Sequence, residues 1–323
     1  MDTRILSDLH AAYDLTVYSM SPVTGGLLNL KWRMATNRGD FLLKQYSPQR
    51  FDHQKLEAIE AGLHRQVFLA GMGIPCPTLL MYNGRMIRHL DGQTSYLVMS
   101  FCPGRIQGPN TITLRQMHSL GCACARLHGA FARLPAPADT SLPTRGGYGL
   151  DALWDAYQRR TDACGSHTPP AHQAALRAMG GILRQLDRSF FDRFPKGWAH
   201  EDFQPGNILF TTEGVSAIVD FDRNGYTYPW HDVGRALLSF AWDGQRLLPD
   251  RVAAFVNGYA AHGALSQADV ADALRLTWCI EMPWWNRPAF FGPCDAVPRR
   301  FLQEMLWLTR HWDELDRLVA SDR

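Results

Sequence analysis

The chain has 323 residues, 46% of them hydrophobic and 20% charged, a balance that supports a large buried core and argues against disorder. Its 33 basic and 31 acidic side chains leave a formal charge of +2, so the clustered basic excess of a nucleic-acid binder is absent. The opening stretch MDTRILSDLHAAYDL lacks the basic flank and apolar core of a signal peptide, and SYLVMSF, among the longest apolar runs, is strand-sized, so no membrane span is expected.

In chain order, Leu28, Leu30, Trp32 and Met34 alternate with Asn29, Lys31 and Arg33, which is strand periodicity. NRGD reads as a turn and FLLKQY as the returning strand of a hairpin. From Asp52 to about Ala70 the pattern becomes helical, with Leu56, Ile59, Leu63 and Val67 on one stripe, until GMGIPCP breaks it. MYNGRMIRHL and TSYLVMSF add short extended segments. Beyond CPGR the chain turns helical: MHSLGCACARLHGAF, then most of 151–192, then several helices over 232–320. The expected class is α+β, with a small antiparallel sheet and one helix in residues 1–101 and a larger, mostly helical lobe in residues 102–323. Seven cysteines, odd in number and without C-x-x-C pairs, suit a reducing cytoplasm better than a disulfide framework or a zinc site.

Chemistry concentrates in WAHEDFQPGNILF and AIVDFD. Phosphoryl transfer to a hydroxyl needs a proton acceptor, and it needs hard oxygen ligands that hold Mg²⁺ across the phosphates of ATP. Asp202 supplies a proton acceptor, Asn207 an amide oxygen, and Asp220 a carboxylate. The apolar runs Ile208–Phe210 and Ala217–Val219 would be two strands that fix the loop ends side by side.

The pattern His200-Glu201-Asp202-Phe203-Gln204-Pro205-Gly206-Asn207, then Val219-Asp220-Phe221-Asp222, resembles the aminoglycoside phosphotransferase/choline kinase superfamily. These small-molecule kinases share the protein-kinase fold. The resemblance covers roughly residues 15–260. It implies a two-lobed kinase-like fold, ATP and Mg²⁺ as cofactors, and a small-molecule hydroxyl acceptor, with no nucleic acid or membrane as partner. Asp202 is implied as the catalytic base, Asn207 and Asp220 as Mg²⁺ ligands, and His200 as a brace of the loop. Thr24-Gly25-Gly26 with Asn29 resembles the family's G-G-x-x-N loop, where Gly25 and Gly26 let backbone amides line the phosphates. Lys44 stands where the phosphate-contacting lysine is expected. Met99, Ser100 and Phe101, within SYLVMSFCPG, resemble the lobe linker whose backbone bonds adenine. LGCACARLHG is similar to the L-A-x-L-H helix, and Asp232 in WHDVG resembles the aspartate that supports the catalytic loop.

A lysine at that place needs an acidic partner, and Glu57 and Glu60 both lie on the following helix. Glu60 falls between Leu56 and Leu63 on the apolar stripe, which favours it over Glu57. Two features depart from the family pattern. Glu201 replaces the usual glycine, and Asp222 adds an acid that would bind Mg²⁺ directly or through water.

The acceptor is less legible. Trp278, Trp284, Trp285, Phe290 and Phe291, with Glu281 and Asp295, would form an aromatic, acidic wall for an amine or a sugar. The same residues would equally serve as packing between C-terminal helices or as a homodimer contact. Arg159, Arg160, Arg177, Arg184 and Arg188 weigh against a polycationic acceptor and for a metabolite with one amine or hydroxyl. Similar layouts occur in homoserine kinases, choline-like kinases, spore-coat kinase-like proteins and a bacterial stress-response Ser/Thr protein kinase. The last shares a K-x-Y-x-P strand like Lys44–Pro48. A Ser/Thr protein kinase and a non-catalytic nucleotide-binding regulator are the rival functions. The joint presence of Lys44, Asp202, Asn207 and Asp220 argues against the regulator.

Overall fold

The computed structural model describes residues 3–23, 29–143 and 147–320. The chain begins with α1 (Thr3–Tyr13), β1 (Val17–Pro22), β2 (Asn29–Thr36), β3 (Gly39–Tyr46) and α2 (His53–Gly71). There follow β4 (Ile87–His89), β5 (Ser95–Ser100), β6 (Arg105–Ile106), α3 (Leu114–Phe131), α4 (Leu150–Asp162), α5 (Pro170–Leu183) and α6 (Arg188–Asp192). Next come β7 (Gly197–Ala199), β8 (Ile208–Phe210), β9 (Val215–Ile218) and β10 (Gly225–Thr227). The chain closes with α7 (Pro229–Phe240), α8 (Pro249–Ala260), α9 (Gln267–Trp285), α10 (Ala296–Arg310) and α11 (Leu315–Val319).

Packing divides the chain into two units, Met1–Ile106 with Pro205–Asn224, and Gln107–Gln204 with Gly225–Arg323. The division is not a single cut after residue 101. β8 and β9 join the first unit because Ile106 and Arg105 of β6 pair with Leu209 and Phe210, and the Ile218 N–H donates to the Pro75 carbonyl at 2.7 Å.

The first unit is built on an antiparallel sheet of order β1-β2-β3-β5-β4. Alternation along the strands sorts its side chains by face. Phe41, Leu43, Tyr96 and Val98 pack with Ile5, Leu9 and Tyr13 of α1 on one side. Leu42, Tyr46, Leu97 and Met99 pack with Leu56, Ile59 and Leu63 of α2 on the other. Lys44, two residues from both Leu42 and Tyr46, therefore lies on the α2 face, buried in spite of its charge. Asp52 starts α2 by accepting the Lys55 N–H at 2.8 Å. The sheet thus carries two helices where sequence periodicity suggested one. The extra helix, α1, places Ile5, Leu9 and Tyr13 at four-residue intervals, and its Asp8 is held by Arg88 Nε at 2.9 Å.

The second unit is helical apart from the short pair β7–β10. α3 starts with a reciprocal cap between Thr113 and Gln116. It packs closely against α8 through two glycines: a Cβ on Gly121 would run into the Phe255 carbonyl, and one on Gly258 into the His118 carbonyl. Gly234 of α7 meets Ala273 and Thr277 of α9 in the same way. Among the described residues no helix is long and apolar enough to cross a membrane.

Because α3 and α8 touch backbone to backbone, Gly121→Ala should destabilise the protein by about 1–3 kcal/mol. Gly129→Ala, on the exposed side of α3 with open space around it, should be neutral or stabilising by up to about 1 kcal/mol. Urea unfolding of both variants checks the contrast.

Candidate active site

β8 and β9 run antiparallel with Ile208 opposite Ile218, and the Val219 N–H donates to the Asn207 carbonyl at 2.9 Å. Asn207 and Asp220 consequently leave neighbouring strand ends. Asp220 adopts a left-handed backbone, φ 66° and ψ 62°, a conformation that a non-glycine residue keeps only when its surroundings over-determine it. Those surroundings are on α2. Arg65 Nε donates to Asn224 Oδ1 at 2.5 Å and Arg65 Nη2 to the Asn224 carbonyl at 3.1 Å. Gly62 is so near that a Cβ there would lie 2.7 Å from Asn224 Nδ2. The segment from Asp220 to Asn224 is thereby fastened to the helix that covers the Lys44 face of the sheet.

Lys44 Nζ lies 2.7 Å from Asp220 Oδ1 and 2.7 Å from Asp222 Oδ2. Lys31 Nζ approaches Asp220 Oδ2 at 3.5 Å, and the Tyr46 hydroxyl donates to Asp222 Oδ1 at 3.3 Å. Burial pushes the Asp222 carboxyl above its ordinary value; Lys44 works against the rise and Asp220 adds to it. Burial also opposes the Lys44 charge, but Asp222 and Asp220 outweigh it and hold the ammonium firmly protonated. Glu60, the expected partner of Lys44, stands elsewhere. It is buried as its position on the stripe implied, yet its carboxylate accepts the backbone N–H groups of Met86 at 2.8 Å and Ile87 at 2.9 Å. It serves the unpaired edge of β4, and the two aspartates take its place beside the lysine. Glu57 is half-buried and pairs with Arg85.

Other expected positions fare unevenly. Gly25 and Gly26 lie outside the described residues. The Ser100 N–H donates to the Thr78 carbonyl at 2.8 Å and the Phe101 N–H to the Asp40 carbonyl at 3.0 Å, while Met99 pairs with Leu42. The amides of Ser100 and Phe101 are therefore already engaged within the sheet. Among the described residues the Cys102 N–H, one residue on, has no backbone acceptor.

In the second unit, Asp202 is half-buried, and its carbonyl accepts the Gln204 N–H at 2.9 Å. The loop before it is clamped by Asp232, whose two oxygens accept the His200 N–H at 2.8 Å and the Glu201 N–H at 2.9 Å. Burial opposes that charge, but His128, 3.3 Å away, helps hold the Asp232 carboxyl below the usual range. His128 is in turn fixed by the Tyr259 hydroxyl at 2.9 Å. Glu201 has φ 67°, so the chain keeps the left-handed turn that glycine would adopt freely.

The Glu201 side chain explains how that turn is held. Its carboxylate accepts from Thr227 Oγ1 at 2.5 Å and from the Tyr148 hydroxyl, and faces His231 Nδ1 at 3.4 Å. His231 Nε2 lies 3.0 Å from Glu281, which Arg235 meets at 2.6 Å. Arg235 also pairs with Glu304, which accepts Arg300 Nε at 2.8 Å. Burial would neutralise His231, but Glu201 and Glu281 push it up to about 10. Burial likewise raises Glu281, but Arg235 and His231 bring it down to about 2. Arg235 and Glu304 escaped notice in the sequence, where His231 reads as an ordinary packing or surface histidine within WHDVG. The available signal was a charged pair at i, i+4 in α7, a helix with almost no solvent-facing side.

Much of the aromatic segment is packing. Trp278 is fully buried, with Nε1 donating to Thr309 at 2.8 Å, and Trp285 stacks on Phe301 at 4.4 Å, so both are packing residues. Glu281 belongs to the ionic chain, and Asp295 is exposed at the start of α10. Trp284, Phe290 and Phe291 remain partly exposed.

Asp220 and Asp222, with the Asn207 amide at the adjacent strand end, form an all-oxygen donor set suited to a hard divalent cation. Two ammonium groups already stand on those carboxylates, which shows that the place favours positive charge. Among the described residues no three His, Cys, Asp or Glu side chains form a metal cage, so phosphate oxygens and water would complete the shell.

Residues 19–269 match the model of the phosphotransferase enzyme family, and the chain belongs to that family. It is therefore a phosphotransferase. Homoserine kinase of Granulibacter bethesdensis is 25% identical over 289 residues, 86% of this chain and 85% of that protein. Homoserine kinase of Allorhizobium ampelinum is 26% identical over 313 residues, 93% and 92% of the two chains. A solved amicoumacin kinase in complex with AMP-PNP and Ca²⁺ superposes with a TM-score of 0.64 at 15% identity, covering 98% of this chain and 93% of that one. A microcompartment-associated aminopropanol kinase does so with a TM-score of 0.59 at 17% identity, covering 98% and 99%. The α+β, kinase-like architecture is thus shared with these structures.

The buried ionic chain gives a pH signature. The His231 contribution to stability is complete below pH 6.5 and fades as pH rises toward about 10; that of Glu281 is complete above pH 4.5 and fades as pH falls toward about 2. His231→Gln should cost about 3–5 kcal/mol where both are complete. Urea unfolding at pH 5.5 and pH 9 should find the loss smaller at the higher pH, whereas a loss independent of pH would contradict the assignment.

Proposed function

We propose that the protein transfers the γ-phosphoryl group of Mg²⁺-bound ATP to the hydroxyl of a small amino alcohol or hydroxy amino acid. The observation that carries the proposal is the meeting of Lys44, Asp220 and Asp222 at one buried point, on elements held together by α2. Asp220, Asp222 and the Asn207 amide would hold the metal, which neutralises charge across the phosphates when bound. Lys44 contacts phosphate oxygens. The Ser100 carbonyl and the Cys102 N–H serve the adenine edge, since the Ser100 and Phe101 amides are engaged elsewhere.

Asp202 accepts the proton of the attacking hydroxyl. The O–H bond of the acceptor breaks, its oxygen bonds to the γ-phosphorus, and the bond from that phosphorus to the bridging oxygen of ADP breaks. Asp232 and Glu201 fix the backbone that presents Asp202, so the base does not have to be ordered at the moment of reaction. The acceptor class is supported by two things: relatives and neighbours named homoserine kinase and aminopropanol kinase, and the arginines of residues 151–196, which disfavour a polycation.

Coupled ADP release across L-homoserine, 1-amino-2-propanol, sugars, aminoglycosides and a generic protein acceptor tests the proposal. Turnover is expected with an amino alcohol or hydroxy amino acid. Asp202→Asn should reduce it about 10²- to 10⁴-fold while nucleotide binding persists. Undiminished turnover in Asp202→Asn would remove the base assignment, and turnover confined to the protein acceptor would replace the acceptor class.

A further inference from the structure

β2 and β3 pair with Lys31 directly opposite Lys44. Two lysines therefore share the α2 face of the sheet. Like charges opposed across a ladder are unfavourable, and neither side chain is freely solvated: Lys44 is 2% exposed and Lys31 17%. Their repulsion is offset at one carboxylate, where Lys44 reaches Oδ1 of Asp220 and Lys31 reaches Oδ2. One step along the same face Asn29 stands opposite Tyr46, and among the described residues its buried Oδ1 has no hydrogen-bond partner. A buried acceptor without one is uncommon.

The charges are informative together. Lys31 and Lys44 balance Asp220 and Asp222 in the protein as it stands. If the two carboxylates take a divalent cation, both ammonium groups lose their counter-charge at once, and each sits where burial penalises an unpaired charge. The compensating negative charge has to come from the ligand that accompanies the metal, and a nucleoside triphosphate carries it.

We propose that Lys31 is a second triphosphate-binding residue: it rests on Asp220 in the absence of ligand and, with Lys44, turns onto phosphate oxygens when nucleotide and metal bind. This rests on the phosphotransfer function proposed above. Lys31 has the means to make the exchange, because a lysine ammonium on a flexible four-carbon stem can change partners without moving the strand. Its greater exposure makes it the outer of the two. A lysine serving only as a strut for Asp220 would have no need to oppose a buried lysine.

Equilibrium binding of ATP, ADP and adenosine to wild type, Lys31→Gln and Lys31→Arg, with Mg²⁺ present, separates these roles. Lys31→Gln should weaken ATP binding about tenfold and leave adenosine within about twofold. Lys31→Arg should retain most of the ATP affinity, and the melting temperature should move little. Equal weakening of ATP and adenosine, or unchanged ATP affinity in Lys31→Gln, overturns the proposal. If wild type itself binds no ATP, the phosphotransfer function falls and this inference with it. If wild type binds ATP and releases ADP while Lys31→Gln matches it, this inference alone falls.

Discussion

Two carboxylates that share a buried ammonium set the terms for the first unit. Burial works against the charge of both Asp222 and Lys44; the lysine opposes the rise at Asp222, and Asp222 and Asp220 together hold the lysine protonated. Maintaining the arrangement requires β3, β9 and α2 to stay in register to within a hydrogen-bond length. That explains the left-handed Asp220, the absence of a side chain at Gly62 and the double grip of Arg65 on Asn224. A charge-balanced group of this kind is also the natural resting state of a site for a metal and a polyanion. Here the protein's own cations and anions cancel.

The second unit solves a different problem, how to hold Asp202 at a fixed angle on a loop. It does so with carboxylates that face backbone, hydroxyls and histidine. Asp232 accepts two successive N–H groups, and Glu201 ties the same turn into an ionic chain that crosses α7, α9 and α10. Buried chains of this type add little net stability over apolar packing, yet breaking one member leaves an uncompensated charge. Their value here is one of geometry. The residue that departs from the family's glycine is thus the one that locks the glycine-like backbone.

Sequence patterning reached far into this fold, and it failed for reasons that can be named. Strand alternation located the β2–β3 hairpin, and helical spacing located α2 with Glu60 on its inner side. The spacing could not say what Glu60 faces, because its partners are backbone N–H groups of Met86 and Ile87, which have no side-chain signature. α1 was legible in Ile5, Leu9 and Tyr13 but was read only for targeting signals. The motif residues Asn207 and Asp220 emerge at adjacent strand ends because the apolar runs beside them pair as expected. The chain Glu201–His231–Glu281–Arg235–Glu304 could not be assembled from spacing, since its members come from the loop after β7 and from α7, α9 and α10, whose packing brings them together.

The transfer itself is most directly followed by ³¹P NMR of the protein with ATP, Mg²⁺ and an amino-alcohol or hydroxy-amino-acid acceptor. The account predicts that the γ-phosphate resonance is lost in step with the rise of a phosphomonoester on the acceptor, and that Asp220→Asn suppresses both. Conversion of ATP to ADP and inorganic phosphate alone, with no phosphomonoester from any such acceptor, would contradict it.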